Sequence, residues 1–535
     1  MGWDYKAVDI TSAQDSETLM VDLGNQYGID GWELIYIRGN VAYFKRNLSS
    51  VDSGYAAGGR SSFGELSTST LSPLVQLDAI YGLNDIDYET FKITSGNAEG
   101  SGSKFVVSTG TSAYGYGVIR SRRLVRYRPG QGAISRFTAA FTTPHENTIQ
   151  RAGLFAQEQS LVIGYEGTNF GITRQNGGKA AIYEVKITGS AASPETASIE
   201  LNGTTYQVVV NGAVDEVAQQ IEASSATFAG AYTIQSVSSS VYFAATSLGP
   251  RTGSTSFSSA TADGTVTLVQ EGFPNQLTFV SQSQFNRDAL DGNGPSGMTL
   301  DHDKLNVWQI QYRWLGAGEI RYAIENNITG ELVYFHHEHY SGRYQHPHLD
   351  NPSFKIGYIA ANLSPSTVTN SQVFGSSMMG GVEGIAAITG NTHAASAVQS
   401  ALAQNSINHM ISIRAGLTFA DKINLREVRL KQLSVGFDGN DPAEILLYFN
   451  SVGFSADHIY NPISTTSCVS FSTVDGTFTN PGDPISIFIA PSNGSFTVDL
   501  ENLNLIVPPQ NTVTVALRSG GVITKGVVGL TFSEQ

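Results

Sequence analysis

Tandem antiparallel β-sandwiches are the fold class this sequence predicts, and three observations predict it. Charged residues make up only 14% of the chain, while Gly, Ser, Thr, Val and Tyr abound; this is the composition of half-buried pleated surfaces. Short alternating or β-branched runs recur roughly every ten residues, with Gly, Asn, Thr or Pro turns between them. At 535 residues the chain is too long for one core, so about three to five domains are expected.

The elements follow in chain order. Residues 3–8 (WDYKAV) read as a strand, and 14–26 as a short amphipathic helix carried by Leu19, Met20 and Leu23. GWELIYI and VAYFKRN form a hairpin about Arg38-Gly39-Asn40. A small α+β (β-α-β-β) domain over residues 1–48 results. Its Tyr5-Lys6, Gly31-Trp32-Glu33-Leu34 and Phe44-Lys45-Arg46 resemble the pattern of a small bacterial and phage domain of unknown function. Residues 49–75 are Ser/Gly-rich without periodicity and read as a linker.

Residues 76–182 carry strand runs such as SKFVVST, LVRYRP and SLVIGYEG, the first half of a jelly-roll-like sandwich that resumes over 273–363. Between them, 183–272 has its own character. SIELNGTTYQVVV is a hairpin around Asn202-Gly203, and VDEVAQQIEAS places Val214, Val217, Ala218 and Ile221 on one helical face. Two further strands complete an inserted β-β-α-β-β module, which resembles one recurring in phage tail and fibre proteins. Residues 364–405 read as a connector with a helical stretch from Ala394 to Gln404, and 406–535 as a C-terminal β-sandwich.

The most distinctive block comprises Gly294 to Met298, Tyr312 to Gly318, Ile324 to Gly330 and Asn351-Pro352-Ser353, with RSRRLVRYRPGQG upstream. It resembles a block shared by virion proteins of tailed phages and some large DNA viruses. That resemblance implies a virion structural protein of fibre, decoration or minor capsid type, assembled as a homotrimer and tied to other virion proteins through its N-terminal domain. Synthesis in a host cytoplasm followed by residence in the virion is the expected localisation.

Composition narrows the partners. A net charge of -15 argues against nucleic acid, whose phosphates demand a basic face. One cysteine, Cys468, leaves no internal disulfide framework or thiolate cage. No window offers the ~18 apolar residues of a bilayer span, MGWDYKAVDITSAQ lacks the apolar centre of a signal peptide, and Lys6 breaks the myristoylation pattern. No membrane and no cofactor are expected.

Five of the ten histidines fall in YFHHEHYSGRYQHPHLD, residues 334–350. On a strand His337 and His339 share a face and His336 and Glu338 the other, while His346 and His348 form a second H-x-H around Pro347. His337, His339, His346 and His348 are therefore the candidate metal ligands. A histidine–aromatic loop packed against a neighbouring subunit is the plainer alternative. Arg120, Arg122, Arg126 and Arg128 read as a basic stripe that pairs with carboxylates of a neighbouring strand or subunit. Asp288, Asp291, Asn293, Asp301 and Asp303 surround a turn that suits either calcium or Asx hydrogen bonds.

No nucleophile elbow, HExxH helix, P-loop or dinucleotide fingerprint occurs in usable context, so no enzyme is expected. Two rival readings remain. The first is a receptor-binding fibre gripping host surface glycans, with Tyr448, Phe449 or Phe454 lining a groove. The second is a polysaccharide depolymerase using two of Glu319, Glu325, Glu331 and Glu338.

Overall fold

A computed structural model describes residues 3–9, 33–38, 41–47, 71–384, 390–503 and 505–535. It falls into two units, 1–70 and 71–535. In the first, Val41–Asn47 is the middle strand of an antiparallel sheet between Trp3–Asp9 and Glu33–Arg38. The hairpin pairing Arg38 with Val41 is the expected one. The helix expected over 14–26 lies outside the described residues, as does most of the linker.

The second unit is mainly β throughout. Its first sandwich has a seven-stranded sheet in the order Gln276–Ser281, Asn169–Asn176, Ser160–Glu166, Thr148–Phe155, Lys355–Asn362, Tyr116–Ser121 and Tyr88–Ile93. The facing sheet runs Leu332–Glu338, Ile320–Glu325, Asn306–Tyr312, Ala133–Phe141, Gln372–Gly375, Lys104–Ser108 and Asn97–Ser101. Ser377–Glu383 joins it by pairing with both Ala133–Phe141 and Leu71–Asp78. Alternation explains the core: in Asn306–Tyr312, Trp308, Ile310 and Tyr312 point into one cluster with Phe105, Phe335 and Tyr358. The polar ends of these aromatics are satisfied, since Trp308 Nε1 donates to Ala139 O at 3.3 Å, Tyr312 Oη to Pro352 O at 2.7 Å and Tyr358 Oη to Thr138 O at 2.9 Å.

Four expectations need correction. The linker was expected to reach residue 75, but Leu71–Asp78 is a strand with Val75 buried, and Pro73 sits where the register shifts opposite Gly380 and Gly381. A bulge is where a sheet tolerates proline. The connector over 364–405 is instead sheet: Gln372–Gly375 and Ser377–Glu383 close the first sandwich, and Asn391–Leu402 opens the last one. The helix expected from Ala394 to Gln404 is part of that strand. Ala395, Ala397 and Gln399 are buried in alternation against Ile523–Glu534, so tertiary pairing overrides the alanine propensity. Finally, Arg120 to Arg128 is no continuous strand, because Tyr116–Ser121 ends there and only Val125 bridges onward, to Phe354.

The inserted module begins at Ala180–Ile187, slightly before residue 183, and is larger than four strands. Tyr232–Val237, Ser240–Leu248, Ala180–Ile187 and Gly264–Gln270 form one sheet, and Thr204–Gly212, Ala191–Leu201 and Ser256–Ser258 another. The expected helix is present at Val214–Ala223, with Val217, Ala218 and Ile221 buried and Glu216 Oε2 accepting the Ala213 N–H at 2.8 Å. The module leaves and rejoins its host side by side, since Asn169–Asn176 pairs directly with Gln276–Ser281.

The C-terminal sandwich packs the sheet Asn391–Leu402, Ile523–Glu534, Val428–Gly439 and Ser495–Asp499 on the sheet Asn461–Pro462, Val469–Ser472, Ile407–Ala415, Thr512–Ser519, Ala443–Phe449 and Ser486–Ala490. Polar side chains join the three bodies. Between the sandwiches, the Leu124 N–H donates to Glu427 Oε1 at 2.5 Å, and Arg122 Nη1 to Asn511 Oδ1 at 3.0 Å. Between the module and the C-terminal sandwich, Arg414 Nη1 meets Glu222 Oε1 at 2.7 Å with its guanidinium 3.8 Å over the Tyr460 ring, and the Leu417 N–H donates to Gln235 Oε1 at 2.5 Å. Between the module and its host, Gln157 Nε2 donates to Ala245 O at 2.7 Å.

Candidate metal centre

The histidine-rich strand Leu332–Glu338 is the edge of its sheet, paired only with Ile320–Glu325. Their antiparallel register sets Arg321 opposite His337 and Ile320 opposite Glu338. One step further along, Glu319 meets His339, with Oε2 and Nδ1 3.7 Å apart. Residues two apart share a face, so Glu319, Arg321, His337 and His339 lie together on one side. The turn before Glu319 is fixed by glycine. A Cβ on Gly318 would stand 1.6 Å from Arg313 O, and the Gly318 N–H donates to Trp314 O at 2.7 Å. No other residue type fits there.

Glu319, His337 and His339 each offer a ligand atom, and these atoms lie within 4.8 Å of one another. Arg321 donates to Glu319 Oε1, and Arg313 Nη1 stands 3.8 Å from the same oxygen. The carboxylate is thereby held with Oε2 toward the histidines. Burial pushes the Glu319 carboxyl up, but Arg321, Arg313 and His337 outweigh it and hold it below its ordinary value. Burial, reinforced by Arg287 and Arg321, brings His337 down to about 4, so its imidazole is neutral at pH 7. A neutral imidazole has a lone pair to give.

Of the four histidines singled out by sequence, the structure brings two together. His337 and His339 share the site, whereas His346 is exposed and joins no ligand group among the described residues. His348 stacks on Tyr340 with ring centroids 4.3 Å apart, and its Nδ1 donates to Gly316 O at 3.1 Å. Tyr340 belongs to the opposite face with Glu338, which Arg174 Nε holds at 3.0 Å, so of the second H-x-H His348 is a packing residue. Glu319 is the third candidate ligand, and no motif in the sequence singles it out for this site. Simple counting back from the turn at 326–331 would set Glu319 opposite Glu338; a register shift between Ala323 and Tyr322, which leaves Phe335 without an opposite number, brings it to His339 instead, so the pairing could not be counted off the sequence.

The other candidates resolve structurally. Asp288 accepts the Leu290 and Ser296 N–H groups at 2.8 Å each, and Asp291 accepts that of Asn293 at 2.9 Å. The contacts to Leu290 and Asn293 are Asx turns, that to Ser296 closes the loop between them, and a Cβ on Gly294 would come 2.0 Å from Asp288 Oδ1, which accounts for the first glycine of GPSGM. The arginine run serves contacts within the chain: Arg120 Nε pairs with Glu89 Oε2 at 2.7 Å, Arg122 bridges to the last sandwich, and Arg128 reaches Gln535 at 3.4 Å. Tyr448 is buried, and the half-buried Phe454 stacks on His458 at 4.3 Å.

No family model and no curated protein matches this chain. Among solved structures it is similar to arcelin-5, a lectin-like defence protein from Phaseolus vulgaris, at 10% identity over 59% of this chain and 98% of that one, with a TM-score of 0.21. A lectin from Bauhinia forficata in complex with GalNAc aligns at 7% identity over 59% and 98%, TM-score 0.20. The Faustovirus major capsid protein aligns at 8% over 84% and 90%, TM-score 0.10. The sheet pairings described above, and not these likenesses, establish the fold.

Proposed function

We propose that this chain is a non-catalytic structural protein of a virus particle, an oligomeric fibre or decoration component held to other virion proteins by its N-terminal unit. The observation that carries the reading is the joining of three β bodies by buried or partly buried polar contacts: the charge-assisted pairs Leu124 to Glu427 and Arg414 to Glu222, and the neutral hydrogen bond from Gln157 to Ala245. Side chains that a catalyst would aim into a cleft are here spent on holding bodies together. The likeness of the GPSGM and WLGAG blocks to virion proteins agrees, because both blocks are turns that fix buried strands.

The test is particle composition. Mass spectrometry of purified particles should find the full-length protein, and a chain lacking residues 1–70 should be absent from them. Absence of the wild-type chain would overturn the virion role, and full incorporation of the truncated chain would overturn the attachment role. Native mass spectrometry of the purified protein should give the mass of three chains; a monomer at particle-like concentration would remove the trimer.

A further inference from the structure

We propose that Glu319, His337 and His339 bind one divalent transition-metal ion, of which zinc is the representative, at the edge of the first sandwich. The inference is independent of the particle role. Three points of geometry and chemistry support it.

The donor set comes first. Two imidazole nitrogens and one carboxylate oxygen suit zinc, nickel or copper, whereas calcium and magnesium require oxygen-rich shells. The neighbouring guanidiniums of Arg313 and Arg321 sharpen this choice. They withdraw negative charge from the site, which penalises a hard cation bound by charge more than one bound through nitrogen lone pairs.

Pre-organisation comes second. The strand register fixes the His337 backbone, with His339 one residue past the end of the same ladder, and the Arg313 N–H donating to Glu319 O at 3.0 Å fixes that of Glu319, all without help from an ion. Arg321, by holding Oε1, acts as the outer partner that orients a ligating carboxylate, a role other metal sites give to hydrogen-bonding neighbours. Ligand atoms around a tetrahedral zinc lie roughly 3.3 Å apart for bonds of about 2.0–2.1 Å. Here the three ligand atoms lie within 4.8 Å of one another, and the His339 side chain, 42% exposed against 16% for Glu319, has the most room to shift toward that spacing.

Openness comes third. Three protein ligands leave a position for water or for a donor from another molecule, and the site lies on an edge strand, where another chain can approach.

The experiment is calorimetric titration of zinc into the full-length, chelator-treated protein, with cobalt absorption spectroscopy as a second readout of nitrogen ligation. One equivalent per chain is expected, with intense visible bands from cobalt and no binding of calcium or magnesium. His339→Ala removes a ligand on the surface, so folding is preserved and checked by melting. It should weaken zinc by at least about tenfold to a hundredfold, the loss typical even of outer-shell changes. Glu319→Gln should weaken it in the same direction, and His346→Ala should leave it unchanged. No zinc uptake by the wild-type protein, uptake indifferent to His339→Ala, or uptake abolished by His346→Ala would each overturn the proposal.

Discussion

Glu89 shows how single residues were made unreadable by what surrounds them. Its carboxylate takes Arg120 Nε at 2.7 Å, Lys355 Nζ at 2.8 Å and Arg122 at 4.0 Å. Burial raises its pKa, but Arg120 and Lys355 prevail and bring it to about 2. With one anion among three cations the excess charge falls on Lys355, which burial and Arg120 lower to about 8 despite Glu89. Glu89→Gln should therefore destabilise the fold by about 3–5 kcal/mol, as expected when one partner of a buried pair is removed, and Lys355→Met by clearly less; urea titration compares them. Because the folded pKa of Glu89 lies below its unfolded value, its contribution is complete above about pH 4.5 and is lost as pH falls toward 2. Buried histidines act earlier. Burial holds His409 at about 4 and, with His409 and Arg414 beside it, His458 at about 3. The unfolded chain takes up these protons first, so the stability they confer is full above pH 6.5 and declines as pH falls toward 4. The melting temperature should drop between pH 7 and pH 5, and His458→Phe, which keeps the stack on Phe454, should flatten part of that slope. A flat profile across this window would contradict the assignment.

At the scale of elements, strands whose side chains alternate strongly were legible, and so was the single described α-helix, with three buried residues on one face. The failures share a cause: Ala, Ser and Gly write a weak pattern, since a small side chain is compatible with either period. Residues 394–402 looked helical because alanine favours helix, yet the partner strand Ile523–Glu534 decides the matter. The pairing makes a sharp prediction. Ala397→Glu buries a charge in the core and should cost several kcal/mol, whereas Ser396→Glu, on the solvent side, should cost less than about 0.5 kcal/mol. Thermal melts of the two variants check it, and equal losses would contradict the strand. The metal centre was half legible for a related reason. The spacing within Leu332–Glu338 placed His337 and His339 on one face, but Glu319 comes from a different strand and only the register joins it to them. His348 was misjudged because an H-x-H motif does not say whether its backbone continues in a strand, and here a loop turns the ring onto Tyr340.

At the scale of the molecule, the alternation of sandwich, module and sandwich could be read from changes of rhythm along the chain, but the contacts between bodies could not. Each joint uses residues far apart in sequence, such as Leu124 with Glu427 and Glu222 with Arg414, and no local pattern links them. Calorimetry of the wild-type protein should show residues 71–535 unfolding in one transition. Arg414→Ala or Glu427→Gln alone should lower its midpoint while leaving it single, and the double variant should split it in two. A wild-type chain that already melts in separate steps would refute the coupling. The reason for the difference between single and double changes is mechanical. First sandwich, module and last sandwich touch pairwise, so they form a closed triangle of struts, and a triangle keeps its angles when pushed at a corner. Loosening one joint leaves the other two to resist shear; only when two give way does the frame become a hinge.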